Sequence, residues 1–294
     1  FHIFEKYLFI ISHFLWSWRI SKKFAGNKSI IYTRSDWIFY FLSKKNQNIT
    51  FECHQLSKIR KWVLKNSIKH SGSKIVFLNS QLLLDSKINN SMNKSKLFVV
   101  PNGVDDEVFD FESNLIKGQI LFLGNIERFS NDRNLKFIID CFKDTTVYEH
   151  FNLKIIGGDK KSANELTNYI KEKSLDKKIK ISQHVSRDVA VKYLKSSEIG
   201  LLINSDSNKH STHYTSPLKY FEYLYSGLKV LAVDFPAHRN LPFSKNIVFF
   251  ENNNSQSLKK ALLDIKDKKH VDKELLTEIT LDSRIKKIMK FINS

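Results

Sequence analysis

Cysteine is scarce: Cys53 and Cys141 are the two thiols among 294 residues. Neither has a partner at metal-ligand spacing, and no secretory signal is visible. A disulfide framework is therefore excluded, and a reduced, cytoplasmic chain with buried thiols is expected. Several chemical motifs are missing. There is no Asp-x-Asp, His-Glu-x-x-His or Cys-x-x-Cys, and no Walker or Gly-x-Gly-x-x-Gly loop. Metal-dependent nucleotide-sugar chemistry and dinucleotide binding are left without support. No Gly-x-Ser-x-Gly elbow argues for a hydrolase. The strongest apolar run, residues 7–18, is too short for a membrane span, which needs roughly 20 residues.

Positive charge is plentiful. Forty-eight basic and 30 acidic residues give a net charge of +18, which favours anionic partners such as phosphates, nucleic acid or an acidic membrane face. The lysines are spread along the chain and form no dense tract, and no basic–aromatic motif accompanies them, so nucleic acid is not an expected partner. Arg19, Lys22 and Lys23 follow the apolar run at 7–18. The first reading of that run is a buried or half-buried helix. The second is an interfacial helix in peripheral contact with an anionic membrane, which would put the protein at the inner face of the plasma membrane. The sequence begins at Phe1 rather than Met, and a chain truncated at its N-terminus is the expectation.

At ~100–200 residues per domain, two domains are expected. In the first, strands are expected at 29–33, 49–54, 74–79 and 96–101, alternating with helices at 37–44, 59–70 and 81–88. The second series has strands at 120–123, 153–156, 178–182, 199–203, 229–233 and 247–250. Its helices are expected at 134–143, 163–173, 187–196, 217–225, 256–267 and 281–292. Such alternation means an α/β chain with parallel sheets covered on both faces, here two doubly wound halves. The expected division is 1–104, a linker at 105–118, a second domain at 119–275, and a C-terminal segment, 276–294, that packs back on the first domain. Ligands of such sheets sit beyond the carboxyl ends of the strands, so the polar loops at 124–133, 157–162, 184–187 and 204–216 are expected to face a cleft between the halves.

One stretch stands out, Tyr214-Thr-Ser-Pro-Leu-Lys-Tyr-Phe-Glu-Tyr-Leu-Tyr-Ser-Gly227. Ser216 suits a helix N-cap, Pro217 the first helical position, and Gly227 the left-handed residue past the end. The helix is apolar almost all round, which marks it as buried. Glu222 is its one carboxylate. A buried acid needs donors, which ligand hydroxyls can supply; the bland alternative is a surface pair with Lys219, three residues earlier. The free N–H groups at the helix start make a phosphate seat. A second candidate is the loop Asn125-Ile-Glu-Arg-Phe-Ser-Asn-Asp-Arg133, whose Arg128 and Arg133 are suited to a diphosphate. The third is His54, just past a buried-type strand in Phe51-Glu-Cys-His-Gln55. Taken alone, two arginines in a polar loop are more often plain surface, and a lone histidine at a strand end is more often structural.

The segment Ser216-Pro-Leu-Lys-Tyr-Phe-Glu-Tyr-Leu-Tyr-Ser-Gly-Leu-Lys-Val-Leu-Ala232 resembles the donor-binding signature of glycosyltransferase family 4. The resemblance continues through Val100-Pro-Asn-Gly-Val-Asp105, Ile120-Leu-Phe-Leu-Gly-Asn125, Leu153-Lys-Ile-Ile-Gly-Gly158 and Thr280-Leu-Asp-Ser-Arg-Ile-Lys-Lys-Ile288, so it covers residues 29–294. It implies the GT-B fold, two facing Rossmann-like domains with the N-terminal one incomplete here. It also implies retaining sugar transfer from a UDP- or GDP-sugar donor to a saccharide or lipid-linked acceptor, in surface polysaccharide or glycolipid synthesis, with no metal and no other cofactor. Carried over, Glu222 would bind the ribose, and the helix start at Pro217, Leu218 and Lys219, with Ser216, would hold phosphate. His184 and Val185 would lie near the base, and Arg128 or Arg133 would stabilise the leaving diphosphate. His54 would touch the donor sugar, and Asn125 and Gly157 complete the donor set. Where the family often has a first glutamate, this chain has Tyr214. Two rival readings share these features: a GT-B-like sugar-nucleotide epimerase, and a nucleotide-sugar or membrane-binding module without activity.

Overall fold

The computed structural model describes residues 2–26, 29–88, 94–106, 114–128 and 131–294, with backbone alone at 2–7, 128 and 131–132. The chain divides into two compact units, Phe1–Pro101 with Ile285–Ser294, and Asn102–Arg284.

The first unit opens with a long helix, α1 (His2–Phe24), followed by β1 (Ile31–Thr33), α2 (Asp36–Ser43), β2 (Ile49–Cys53), α3 (Lys58–Ser67), β3 (Ser73–Phe77), α4 (Ser80–Ser86) and β4 (Leu97–Val99). Its four strands form one parallel sheet in the order β1-β2-β3-β4. All five residues of β2 are buried, and Phe51 stacks on Phe39 of α2 at 5.3 Å. Residues past 284 cover part of this unit. Val76 and Val100 pack with Ile288, Phe98 and Phe291, and Lys74 Nζ donates to the carbonyls of Phe291 and Ile292 at 2.8 and 3.1 Å. A cation on the last carbonyls of a helix caps it and offsets the negative end of its dipole.

Of the expected buried or half-buried helix at 7–18, the structure shows the half-buried form, with most of the large apolar side chains outward. Leu8, Phe9, Ile11, Leu15, Trp16 and Trp18 are exposed, whereas Ser17 and Ser21 are buried. The cause is the face that α1 turns inward. His13 Nε2 and Ser17 Oγ meet Ser35 Oγ at 3.1 and 3.4 Å, and Phe14 sets its edge against Trp37 and Phe41. Small and polar side chains, with Phe14, make the contact with α2 and its start, and most of the larger apolar ones are left outside.

In the second unit come β5 (Ile116–Leu123), the strands β6 (Glu127–Arg128) and β7 (Asn131–Asp132), α5 (Leu135–Cys141), α6 (Thr145–His150), β8 (Asn152–Ile156), α7 (Lys160–Glu172) and β9 (Ile179–Ser182). They are followed by α8 (Arg187–Ser196), β10 (Ser197–Leu202), α9 (Leu218–Tyr225), β11 (Lys229–Val233), β12 (Ile247–Phe250) and α10 (Ser255–Asp264); the last helix, α11 (Leu281–Ile292), belongs from Ile285 onward to the first unit. The main sheet is parallel, in the order β12-β11-β10-β5-β8-β9. The strand order reverses between β5 and β10, which is the dinucleotide-fold arrangement with its ligand crevice beyond the strand ends. Both faces are covered. Ile120 and Phe122 join one core with α5, α7 and α10, and Leu121 and Leu123 join the other with α8 and α9. Strands buried on both faces read as continuous apolar runs, as these do.

Three boundaries differ from expectation. Of the expected linker, 107–113 lie outside the described residues, and Ile116 to Gly118 belong to β5. That end of the strand is exposed and polar, held by Gly118 N donating to Glu198 Oε2 at 2.7 Å, so no apolar pattern marks it. The loop at 125–133 contains the small antiparallel pair β6–β7, with 129–130 outside the described residues. The loop at 204–215 includes a π-helical turn, His210–Tyr214.

Candidate active site

Helix α9 is fixed to the sheet from behind. Tyr223 is fully buried and its hydroxyl accepts from Leu123 N at 3.1 Å and donates to Leu201 O at 3.4 Å, tying the helix to β5 and β10. Gly200 makes room for it, because a Cβ there would lie 2.4 Å from Tyr223 Cγ. Burial pushes the Tyr223 phenol well above its usual pKa. Tyr220 donates its hydroxyl to Pro242 O. The C-terminus closes as expected: Gly227 has φ +82°, and Leu228 N and Gly227 N donate to Tyr223 O and Leu224 O, a Schellman arrangement.

The start of α9 corrects the reading of Ser216 and Pro217. Pro217 is the N-cap, and no side chain caps the helix. Ser216 Oγ instead accepts from Asn102 N at 2.9 Å, while Asn102 Nδ2 donates to Ser216 O at 2.6 Å. The hydroxyl that was expected to close the helix is used to fasten the chain at Asn102. The first amides of α9, at Leu218 and Lys219, point out of the helix start, as helix geometry requires.

Glu222 is buried, 7 % exposed. Its Oε1 accepts from Arg187 Nη1 at 2.5 Å, and its Oε2 lies 2.8 Å from Lys219 Nζ. The Lys219 pair exists, but not as a surface pair, since the Glu222 side chain is only 10 % exposed. Arg187 is a residue that the sequence reading missed. A faint signal was present: it sits in the first turn of α8, next to Ser186, where a cation faces the positive end of the helix dipole and an acid would be favoured.

Beside this cluster is a pocket of about 270 Å³ lined by Leu123, Gly124, Asn125, Ile156, Gly157, His184, Val185, Arg187, Ala190 and Lys219. It lies at the carboxyl ends of β5, β8 and β9 and the starts of α8 and α9. Three of the four expected loops meet in it, and Asn125, Gly157, His184, Val185 and Lys219 from the expected donor set line it. Backbone approach shapes it. Gly124 has φ +152° and Gly157 φ +128°, and a Cβ on Gly157 would fall 2.1 Å from Gly124 O. The walls are apolar, with cations at the rim, the usual make-up of a small-molecule site. Arg133 Nη1 lies 3.4 Å from where a Gly124 Cβ would be, next to the pocket. The side chain of Arg128 lies outside the described residues. Tyr214 is buried with Lys209 Nζ 5.7 Å from its ring centre.

His54 belongs to the first unit, just past β2. Its Nε2 is 3.3 Å from Oε1 of the buried Glu52, whose Oε2 accepts from Arg34 Nε at 3.0 Å. Among the described residues, no group of three or more His, Cys, Asp or Glu side chains is placed to hold a metal ion.

Known proteins share this architecture. A glycosyltransferase from Rickettsia africae superposes with a TM-score of 0.68 at 16 % identity, over 95 % of this chain and 80 % of its own. Sucrose-phosphate synthase from Thermosynechococcus elongatus gives 0.65 at 10 %, over 93 % and 75 %. Anabaena HepE, in complex with UDP-glucose, gives 0.66 at 12 %, over 94 % and 81 %. These identities establish the fold, which is GT-B. TarM, in complex with UDP, and WaaG, involved in lipopolysaccharide biosynthesis, share it as well. No curated protein sequence matches the chain. The family model described as "Glycosyl transferases group 1" matches residues 117–267, more than half of the chain and most of the second unit. The chain therefore belongs to the group 1 glycosyltransferases.

Proposed function

We propose that the protein moves a sugar, with retention of anomeric configuration, from a UDP- or GDP-sugar to a saccharide or lipid-linked acceptor in surface polysaccharide or glycolipid synthesis. The observation that carries this reading is the pocket at the strand ends with Glu222 set between Arg187 and Lys219. The carboxylate suits ribose hydroxyls, His184 and Val185, which line the pocket, are assigned to the base, and the amides of Leu218 and Lys219 suit a diphosphate. That HepE holds UDP-glucose and TarM holds UDP favours the same ligand class here, and the role of WaaG favours the pathway.

In this mechanism the acceptor oxygen bonds to the anomeric carbon as the bond from that carbon to the β-phosphate oxygen breaks. The acceptor proton passes to the departing phosphate oxygen, and a nucleoside diphosphate leaves. The helix start, Lys219 and an arginine, Arg128 or Arg133, offset the charge that grows on the diphosphate. No metal is called for, and transfer is expected to persist in EDTA. His54 is assigned to the donor sugar, so His54→Ala is expected to lower turnover and leave nucleotide affinity within about threefold.

The test is a nucleotide-sugar panel with acceptor mixtures, read as nucleoside diphosphate release, with the anomeric configuration of the product read by NMR. Glu222→Ala is expected to weaken UDP or GDP binding by roughly tenfold or more, the loss of hydrogen bonds to a charged group. No release with any pair, together with unchanged nucleotide binding in Glu222→Ala, would sink the reading. Free isomerised nucleotide sugar would point to an epimerase instead.

A further inference from the structure

Arg187 and Glu222 come from different helices, 35 residues apart in sequence, and meet at 2.5 Å beside the pocket. Lys219 reaches the other oxygen from within α9 itself. A carboxylate offers about four acceptor positions, and these two contacts leave the rest open. The Glu222 side chain is 10 % exposed, and its Oε2 is buried and has no aligned hydrogen-bond donor, although Lys219 Nζ is near. A buried acceptor in that state calls for a donor, and the vicinal hydroxyls of a ribose are a matched pair. Arg187 is also placed against a local rule, a cation in the first turn of α8, and such breaches concentrate at functional sites. Lys219 shares a helix with Glu222 and moves with it. Arg187 does not, so it can fix the rotamer of the acid against the pocket wall.

We propose that Arg187 is a positioning residue for ribose recognition, holding Glu222 so that its carboxylate accepts both ribose hydroxyls of a nucleoside diphosphate and the pocket selects ribonucleotides over 2′-deoxyribonucleotides. The proposal rests on the reading of this pocket as the donor-nucleotide site.

The experiment is calorimetric titration of the full chain with UDP, GDP and their 2′-deoxy counterparts, for the wild type, Arg187→Met and Arg187→Lys, with a thermal melt of each. The wild type is expected to prefer one ribonucleotide over its deoxy form by roughly ten- to hundredfold. Arg187→Met is expected to melt cooperatively and to bring that ratio within about threefold, and Arg187→Lys to restore part of it. In turnover, Arg187→Met is expected to raise the donor KM and leave kcat within about threefold, the pattern of lost uniform binding. A wild-type ratio in Arg187→Met overturns the proposal, even if overall affinity falls, and so does a wild type that does not discriminate. If the wild type binds none of the four nucleotides, the donor-site reading fails with it. Should Arg187→Met not fold, Arg187→Lys and Arg187→Gln carry the same comparison.

Discussion

His238 is 1 % exposed and its Nδ1 donates to Val233 O at 2.8 Å. Burial pushes it from 6.5 down to about 4, against the opposing pull of that hydrogen bond and of Asp234. Between those two values the unfolded chain binds the proton that the folded chain refuses, so stability falls as pH drops from 6.5 towards 4. Urea midpoints measured across that range are expected to decline, and His238→Asn to flatten the decline. The thiols obey the same physics. Burial pushes Cys53 and Cys141 up to about 12, which leaves little thiolate at neutral pH. Both are expected to resist a thiol reagent until urea opens the fold; fast labelling of either in native buffer would contradict this. At this scale the sequence was legible where a residue broke its own surroundings. Glu222 announced itself as an acid among aromatics. Arg187 did not, because its partner lies 35 positions away and no local spacing encodes that meeting.

Helix α9 and strand β10 fit as a lock of one small and one large residue. Gly200→Ala sets a methyl 2.4 Å from the Tyr223 ring, and the overpacking is expected to cost about 1–3 kcal/mol, read as a lower denaturation midpoint. Tyr223→Phe takes the acceptor from Leu123 N, and is expected to cost ~1–3 kcal/mol. Because that N–H sits at the end of β5, one residue before Gly124, nucleotide affinity should fall along with stability. Elements were legible where burial wrote a pattern. Strands β11 and β12 and helix α11 fall where periodicity puts them, since each has a core face. The exposed start of β5 and the inward side of α1 escaped, one because polar residues hold it in register, the other because serines and a histidine make its contact.

The whole molecule carries +18, and no helix among the described residues is long and apolar enough to cross a membrane. Exposed Phe9, Trp16 and Trp18 nevertheless share α1 with Lys22 and Lys23 at its end. We propose peripheral contact with an anionic bilayer through these exposed side chains, which project from more than one side of α1. Co-sedimentation with phosphatidylserine vesicles is expected, weakening from 0.05 to about 0.5 M salt as screening shortens the reach of the charges, and Trp16→Ser with Trp18→Ser is expected to reduce it severalfold. Equal binding to neutral vesicles at every salt concentration would remove the electrostatic part of the claim.

The first unit takes its final cover from residues beyond 284. A ribosome delivers them after the whole of 102–284, so the later unit can complete its core while the earlier one still waits. Until Ile288 and Phe291 emerge, Val76, Phe98 and Val100 stay uncovered, and at ~5–20 residues per second that interval lasts about ten seconds or more. The contacts that finish the first unit are thus among the last of these residues to be synthesised, after all of 102–284.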